Sequence, residues 1–210
     1  MNELLLRTVT GLLMIAAALL AAVQGGTVLA VVVGAIAAGM FYEWTRIVRG
    51  WGPAWYAGGF LYALLPALAL LWIRERDEHG LYLLIWVFIV TWSTDIGAYF
   101  TGRAFGRRKL APSLSPGKTV EGLYGGMAAA TLLGGAWASA MGLGTTLLVL
   151  APMCAVAAQA GDLFESGMKR RAGVKDSGTW LPGHGGVLDR LDGLVPVAVL
   201  TALAQLMGLT

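Results

Sequence analysis

The chain alternates long apolar stretches with short polar ones throughout its length. A helix needs about 20 mostly apolar residues to cross a bilayer. Seven stretches approach that length: Leu4–Val23, Thr27–Ile47, Ala54–Ile73, Leu81–Thr101, Val120–Met141, Thr145–Phe164 and a shorter Gly193–Leu209. The first follows Arg7 closely enough to resemble a signal peptide. It is long for the apolar core of one, and further spans follow, so it reads as a retained span. The pattern predicts an all-α fold, a polytopic transmembrane helical bundle of about seven spans. It forms one integral membrane domain over residues 1–210. Residues 1–80 hold the N-terminal spans, and residues 81–210 form a second half with polar loops at 102–119 and 165–192.

Composition agrees. Of 210 residues, 57% are hydrophobic and 13% charged, where soluble domains carry about 25% charged residues. Mean hydropathy is +0.70. No polar segment is long enough for a separate soluble domain, and no internal repeat stands out. The 30 glycines suit helices that approach closely in lipid, as at Gly122 and Gly126. The single Cys154 lies in an apolar stretch and reads as a small core residue.

Charge sets an orientation. With the N-terminus in the cytoplasm, 13 of the 15 basic residues fall inside and only Arg74 and Arg76 outside, as the positive-inside rule requires. Trp44, Trp51 and Trp55 sit where an interfacial aromatic belt would. The stretch from Arg74 to His79 mixes signs and reads as a solvated turn in which His79 has no role.

Two inward segments carry the candidate chemistry. On a helix, Asp162, Glu165, Ser166 and Lys169 share one face, and Asp189 and Asp192 are also three apart. Carboxylates at membrane depth are costly and mark function. Hard oxygen ligands of this kind suit Mg2+ with substrate phosphates. The alternative is simple pairing with nearby Lys or Arg. Asp95 lies inside the fourth span, either in the site or as the buried partner of an arginine. Lys118 stands in a Ser115-Pro-Gly-Lys-Thr119 turn, where Gly117 permits close backbone approach and Ser115 and Thr119 offer hydroxyls to phosphate. The spacing is not that of a P-loop. Lys169, Arg170, Arg171 and Lys175 cluster, and orientation or anionic lipid contact accounts for part of that. Arg107, Arg108 and Lys109 need nothing more than orientation. His184, among glycines, fits phosphate contact or a structural hydrogen bond better than general-base work.

The stretch from Ser166 to Asp192 resembles the signature of phosphatidate cytidylyltransferases, the CDP-diacylglycerol synthases. The pattern is carried by Ser166, Met168, Lys169, Arg170, Lys175, Asp176, Gly178, Leu181, Pro182, His184, Gly185, Gly186, Val187, Asp189, Arg190, Leu191 and Asp192. The Ser115–Thr119 segment and Asp95 with Ala98 and Tyr99 are similar too. The first three spans match only by hydropathy, and members of that family are usually longer at the N-terminus.

The resemblance implies CTP and phosphatidic acid as substrates, CDP-diacylglycerol and pyrophosphate as products, and a site facing the cytoplasm from a bacterial-type inner membrane. It implies Mg2+ at Asp162 and Asp189, with Glu165 beside them, and leaves open a second cation such as potassium. It assigns catalytic work to Lys118, Lys169, Arg170 and Asp192. Ser115, Thr119, Ser166, Lys175, His184, Arg190 and Asp95 contact substrate. Membrane lipid is the medium, nucleic acid is not a partner, and a homodimer is compatible. Asp189-Arg-Leu-Asp-Gly193 also resembles the start of the CDP-alcohol phosphotransferase motif, but the Leu194-Val-Pro-Val that follows breaks it. CTP-dependent polyprenol kinases and archaeal-type lipid cytidylyltransferases are nearer rivals. A transporter would carry paired repeats and polar residues at mid-membrane.

Overall fold

A computed structural model describes residues 3–76, 78–181 and 183–210, with side chains from Leu5 onward. Asp77 and Pro182 lie outside the described residues. The chain order is α1 (Glu3–Gln24), α2 (Gly26–Ile47), α3 (Pro53–Glu75), α4 (Gly80–Phe105), β1 (Lys109–Ala111), β2 (Ser115–Thr119), α5 (Val120–Ala140), α6 (Thr146–Arg171), α7 (Leu188–Leu191) and α8 (Leu194–Leu206).

Five helices, α1 to α4 and α6, are long and apolar enough to cross a membrane. The other two expected spans fall on helices that do not meet that measure. Helix α5 has 21 residues, but its many Gly and Ala residues trade hydropathy for close packing. Helix α8 has 13 residues, a length of about 20 Å.

Helix α4 is the central element, carrying Leu83, Leu84, Trp86, Val87 and Val90 into a core shared with Leu29, Val33, Leu70, Ile73, Ala151, Ala155 and Val197. Cys154 is fully buried in that core, as expected. The closest neighbour of α4 is α5, and glycine makes that approach possible. A Cβ on Gly97 would come within 2.6 Å of Ala129 Cβ and 2.7 Å of Gly125 O. A Cβ on Gly122 would reach Ala98 O at 2.9 Å, and one on Gly126 would reach Thr94 O at 2.8 Å. The Gly122/Gly126 pair is therefore a close helix contact.

The expected helical architecture holds, with one addition that the pattern did not predict, a short antiparallel hairpin with Lys109 opposite Thr119 and Ala111 opposite Ser115. Ser115–Thr119 is its second strand and not a turn. The bend lies earlier, where Leu114 N–H donates to Ala111 O. Pro116 fits because a two-stranded ladder leaves one side of each strand without a partner. Thr119 then ends the strand and caps α5, its hydroxyl accepting the Gly122 N–H at 3.0 Å.

Two interface expectations also change. Trp44 is buried, not part of a belt. It packs against Tyr62 and Phe164 and donates its indole N–H to Trp55 O at 2.7 Å. Trp51 and Trp55 do form an exposed-side aromatic pair, with the Arg171 guanidinium over both rings. At the opposite end the 74–79 stretch is more than a solvated turn. Arg74 donates to Ala22 O and Val23 O, and Glu75 accepts the Gly26 N–H. These are the orphan groups at the end of α1 and the start of α2, and the charges match the helix dipoles.

The α4–α5 contact generates a test. Gly97→Val should cost about 1–3 kcal/mol through overpacking, seen as a lower midpoint in thermal unfolding of the detergent-solubilised chain. An unchanged midpoint would contradict the packing described.

Candidate active site

Helix α6 runs two turns past the expected end of its span, to Arg171. Its polar face explains the extension, because Lys169 Nζ bonds Glu165 Oε1 at 3.0 Å, one turn back. The same ammonium reaches Asp189 on α7. All three side chains are nearly buried, at 12%, 2% and 7% exposure, so the trio is a fixed charged core. Glu165 Oε2 is buried with no hydrogen-bond partner among the described residues.

A second ion pair stands beside it. The hairpin projects Lys118 onto α6, where Nζ meets Asp162 Oδ2 at 2.6 Å and Gln159 Oε1 at 2.7 Å. Asp162 Oδ1 accepts from Ser166 at 3.3 Å. Gln159 turns its amide toward Asp95 Oδ1 at 3.5 Å. Asp95 thus joins Lys118 through Gln159, and among the described residues no arginine pairs with it.

These groups border one open cavity of about 590 Å³, whose lining includes Asp95, Ser115, Lys118, Thr119, Asp162, Asp189, Arg190 and Asp192. Gly117 also lines it, and a Cβ there would meet nothing within 4 Å. The space beside Gly117 is therefore open.

Burial opposes the charge on Asp189, yet the Lys169 ammonium and the N–H groups of Gly186 and Ser177 overcome it and lower the carboxyl to about 2. Asp192 goes the other way. Burial and the neighbouring Asp162 and Asp95 carboxylates, against one N–H bond from Gly193, push it up to about 7. One carboxylate is thus held ionised by its partners while ionisation of the next is disfavoured first by burial and then by like charge.

The remaining sequence-derived candidates lie outside this cavity. Arg170 and Lys175 are exposed and away from it. Ser166 acts on Asp162 from behind. His184 is turned to α1, its Nδ1 lying 2.9 Å from Thr10 Oγ1, and its carbonyl accepts from Arg190 Nε. Gly183 and Gly185 on either side have φ of 75° and 84°, which side chains rarely adopt, so the tight loop around His184 requires them.

Sequence reasoning missed Glu43. It is fully buried near the end of α2 and accepts hydrogen bonds from Ser177 Oγ at 2.8 Å, Val187 N at 3.0 Å and Leu188 N at 2.9 Å. The signal was present: an acid inside an apolar span is functional by default. Glutamate at 43 also accounts for two glycines of the 166–192 pattern. A Cβ on Gly178 or Gly186 would clash with its carboxylate.

A family model described as the cytidylyltransferase family matches residues 51–207. A phosphatidate cytidylyltransferase of Brucella suis is 49% identical over 162 residues, covering 75% of this chain and 60% of its own length. One from Pseudomonas aeruginosa is 42% identical over 186 residues, covering 86% of this chain and 69% of its own. One from Bacillus subtilis is 47% identical over 123 residues, covering 57% and 46%. The chain thus spans three fifths of the Brucella relative's length. The resemblance carried by residues 166–192 extends well beyond those residues, and the chain belongs to the cytidylyltransferase family.

Proposed function

We propose that this chain is a phosphatidate cytidylyltransferase, joining CTP and phosphatidic acid to give CDP-diacylglycerol and pyrophosphate. The observation that carries the reading is the cavity lined by the Lys118–Asp162 ion pair together with Asp189 and Arg190, on a chain whose relatives bear that name. Its volume is in the range of small-molecule sites, about 300–1,000 Å³.

A phosphatidate oxygen attacks the α-phosphorus of CTP, and the bond from that phosphorus to the α–β bridging oxygen breaks as pyrophosphate leaves. The nucleophile is already an anion at neutral pH, so no strong general base is needed. The work is to bring anions together and stabilise charge on the leaving group. Lys118 clamps a phosphate from the hairpin, with the Ser115 hydroxyl and the Gly117 backbone beside it. Arg190 lies on the cavity wall with it. Lys169, held by two acids, orients Asp189 and does not itself lie along the cavity.

Hard carboxylate oxygens at Asp162 and Asp189 fit Mg2+ with phosphates completing its shell, since Mg2+ is usually bound through one or two carboxylates. Among the described residues no group of three acids, histidines or cysteines forms a metal cage. Lysines already engage Asp162, Asp189 and Glu165, so a metal would share their oxygens; Glu165 fits less directly because it does not line the cavity, although its Oε2 has no hydrogen-bond partner among the described residues. The ion would neutralise phosphate charge and polarise the α-phosphorus. A second cation such as potassium belongs to the same reading.

The seven-span, N-inside orientation supplies the setting. The basic residues, Arg74 and Arg76 apart, fall at the cavity's end of the bundle or in its connecting loops. That end faces the cytoplasm of a bacterial-type inner membrane, where CTP is present while acyl chains stay in lipid.

Purified chain in detergent with α-labelled CTP, phosphatidic acid and Mg2+ should yield a labelled lipid and unlabelled pyrophosphate. Lipid labelled only from γ-labelled CTP would mark a kinase and refute the reading. Asp162→Asn or Asp189→Asn should abolish turnover. Lys118→Ala should lower kcat about 10²–10³-fold, as removing one charge-stabilising donor does, with little change for Arg107→Ala. Equal small losses in the two would reduce Lys118 to an orientation signal.

Orientation is tested separately on a Cys-free background. An impermeant thiol reagent applied to right-side-out vesicles should label a Cys placed at 79 and spare one placed at 184. The reverse pattern would overturn it.

A further inference from the structure

We propose that Glu43 is a positioning residue for Asp189, acting through Ser177 and the 177–188 loop. The inference rests on the reading of Asp189 as a ligand of a divalent metal. Glu43 is fully buried, and among the described residues no cation pairs with it. A buried carboxylate without a counter-ion is costly unless hydrogen bonds compensate. Here Ser177 Oγ, Val187 N and Leu188 N donate to it, so the acid on α2 takes hold of both ends of the loop.

Two of the groups it fixes act on Asp189. Ser177 Oγ lies 2.8 Å from Glu43 Oε2 and 3.0 Å from Asp189 Oδ2. The Ser177 N–H donates to the same Asp189 oxygen at 2.8 Å, as does the N–H of Gly186, next to Val187. Both N–H groups fall on Oδ2, and the Ser177 hydroxyl, whose single proton Glu43 and Asp189 share, faces the same oxygen, which leaves Oδ1 to Lys169. Glu43 therefore acts with Lys169 to set which way Asp189 points, although it does not line the cavity. Gly178 and Gly186 are the glycines that let the loop close on it.

The test is Mn2+ binding to the purified full chain in detergent, followed by electron paramagnetic resonance, with Asp189→Asn as the null control. Glu43→Gln keeps the shape but replaces one acceptor oxygen with an amide donor. It should weaken Mn2+ binding about 10–100-fold, the usual effect of losing an outer partner of a metal ligand. Ser177→Ala should do the same. Because the two act in series, the double variant should bind no more weakly than the weaker single one. A purely architectural Glu43 would lower thermal stability while the folded fraction bound Mn2+ like wild type, and that result overturns the proposal. So do multiplying losses in the double variant, and so does wild-type chain that binds no Mn2+. If Glu43→Gln does not fold, Ser177→Ala decides in its place, since it leaves both backbone bonds to Glu43 intact: weakened Mn2+ binding supports the proposal and wild-type binding overturns it. Conversion of CTP and phosphatidic acid by wild type is scored apart. Its failure removes the functional reading, whereas unchanged Mn2+ binding in an active enzyme's Glu43→Gln variant removes only this inference.

Discussion

Lys169 sits between Glu165 on its own helix and Asp189 on the short helix that follows the 172–187 loop, and little of any of the three is exposed. Removing one partner from such a group leaves a buried charge uncompensated, which typically costs about 3–5 kcal/mol. The three must therefore stay together, and their elements with them. Asp189 brings the loop, because its other oxygen collects Ser177 and Gly186. Ser177 brings α2, through Glu43. A continuous polar chain thus runs from α6 to α7 to the loop to α2, at the end of the bundle where the cavity opens.

The rest of the site is built against that chain. Helix α4 supplies Asp95 and, through its glycine contact with α5, fixes where the hairpin emerges. The hairpin delivers Lys118 onto Asp162, one turn before Glu165. Two lysines on two different elements thereby meet acids on successive turns of α6. A site that gathers two polyanions needs this balance. In the proposed reading both lysines offset carboxylate repulsion before substrate arrives, and Lys118, on the cavity wall, is the one in place to meet phosphate.

Much of this was legible in the sequence, for physical reasons. Asp162, Glu165 and Lys169 could be placed on one face because helical spacing is rigid. The span boundaries followed hydropathy to within a few residues, except where the Lys169–Glu165 pair prolonged α6. The hairpin was hidden by Pro116 and Gly117, which signal a turn although the bend lies at Pro112 and Ser113. Trp44 was misplaced because a tryptophan near a helix end reads the same whether it faces lipid or Tyr62. Glu43 was overlooked because hydropathy averages one acid into its apolar neighbours. Its partners lie more than 130 positions away in the chain, and local spacing cannot report contacts at that separation. Arg170 and Lys175 belong to the motif pattern, yet their side chains are exposed and outside the cavity, a distinction that spacing alone does not make.

The central claim is that Asp189 gathers the loop into the buried charged core. Amide hydrogen exchange tests it most directly, read at Ser177 and Gly186 in the detergent-solubilised wild-type chain and in Asp189→Asn. The account predicts slow exchange of both amides in wild type, comparable to amides inside the helices, and a marked acceleration in the variant. Fast exchange at both positions in the folded wild-type chain would contradict it.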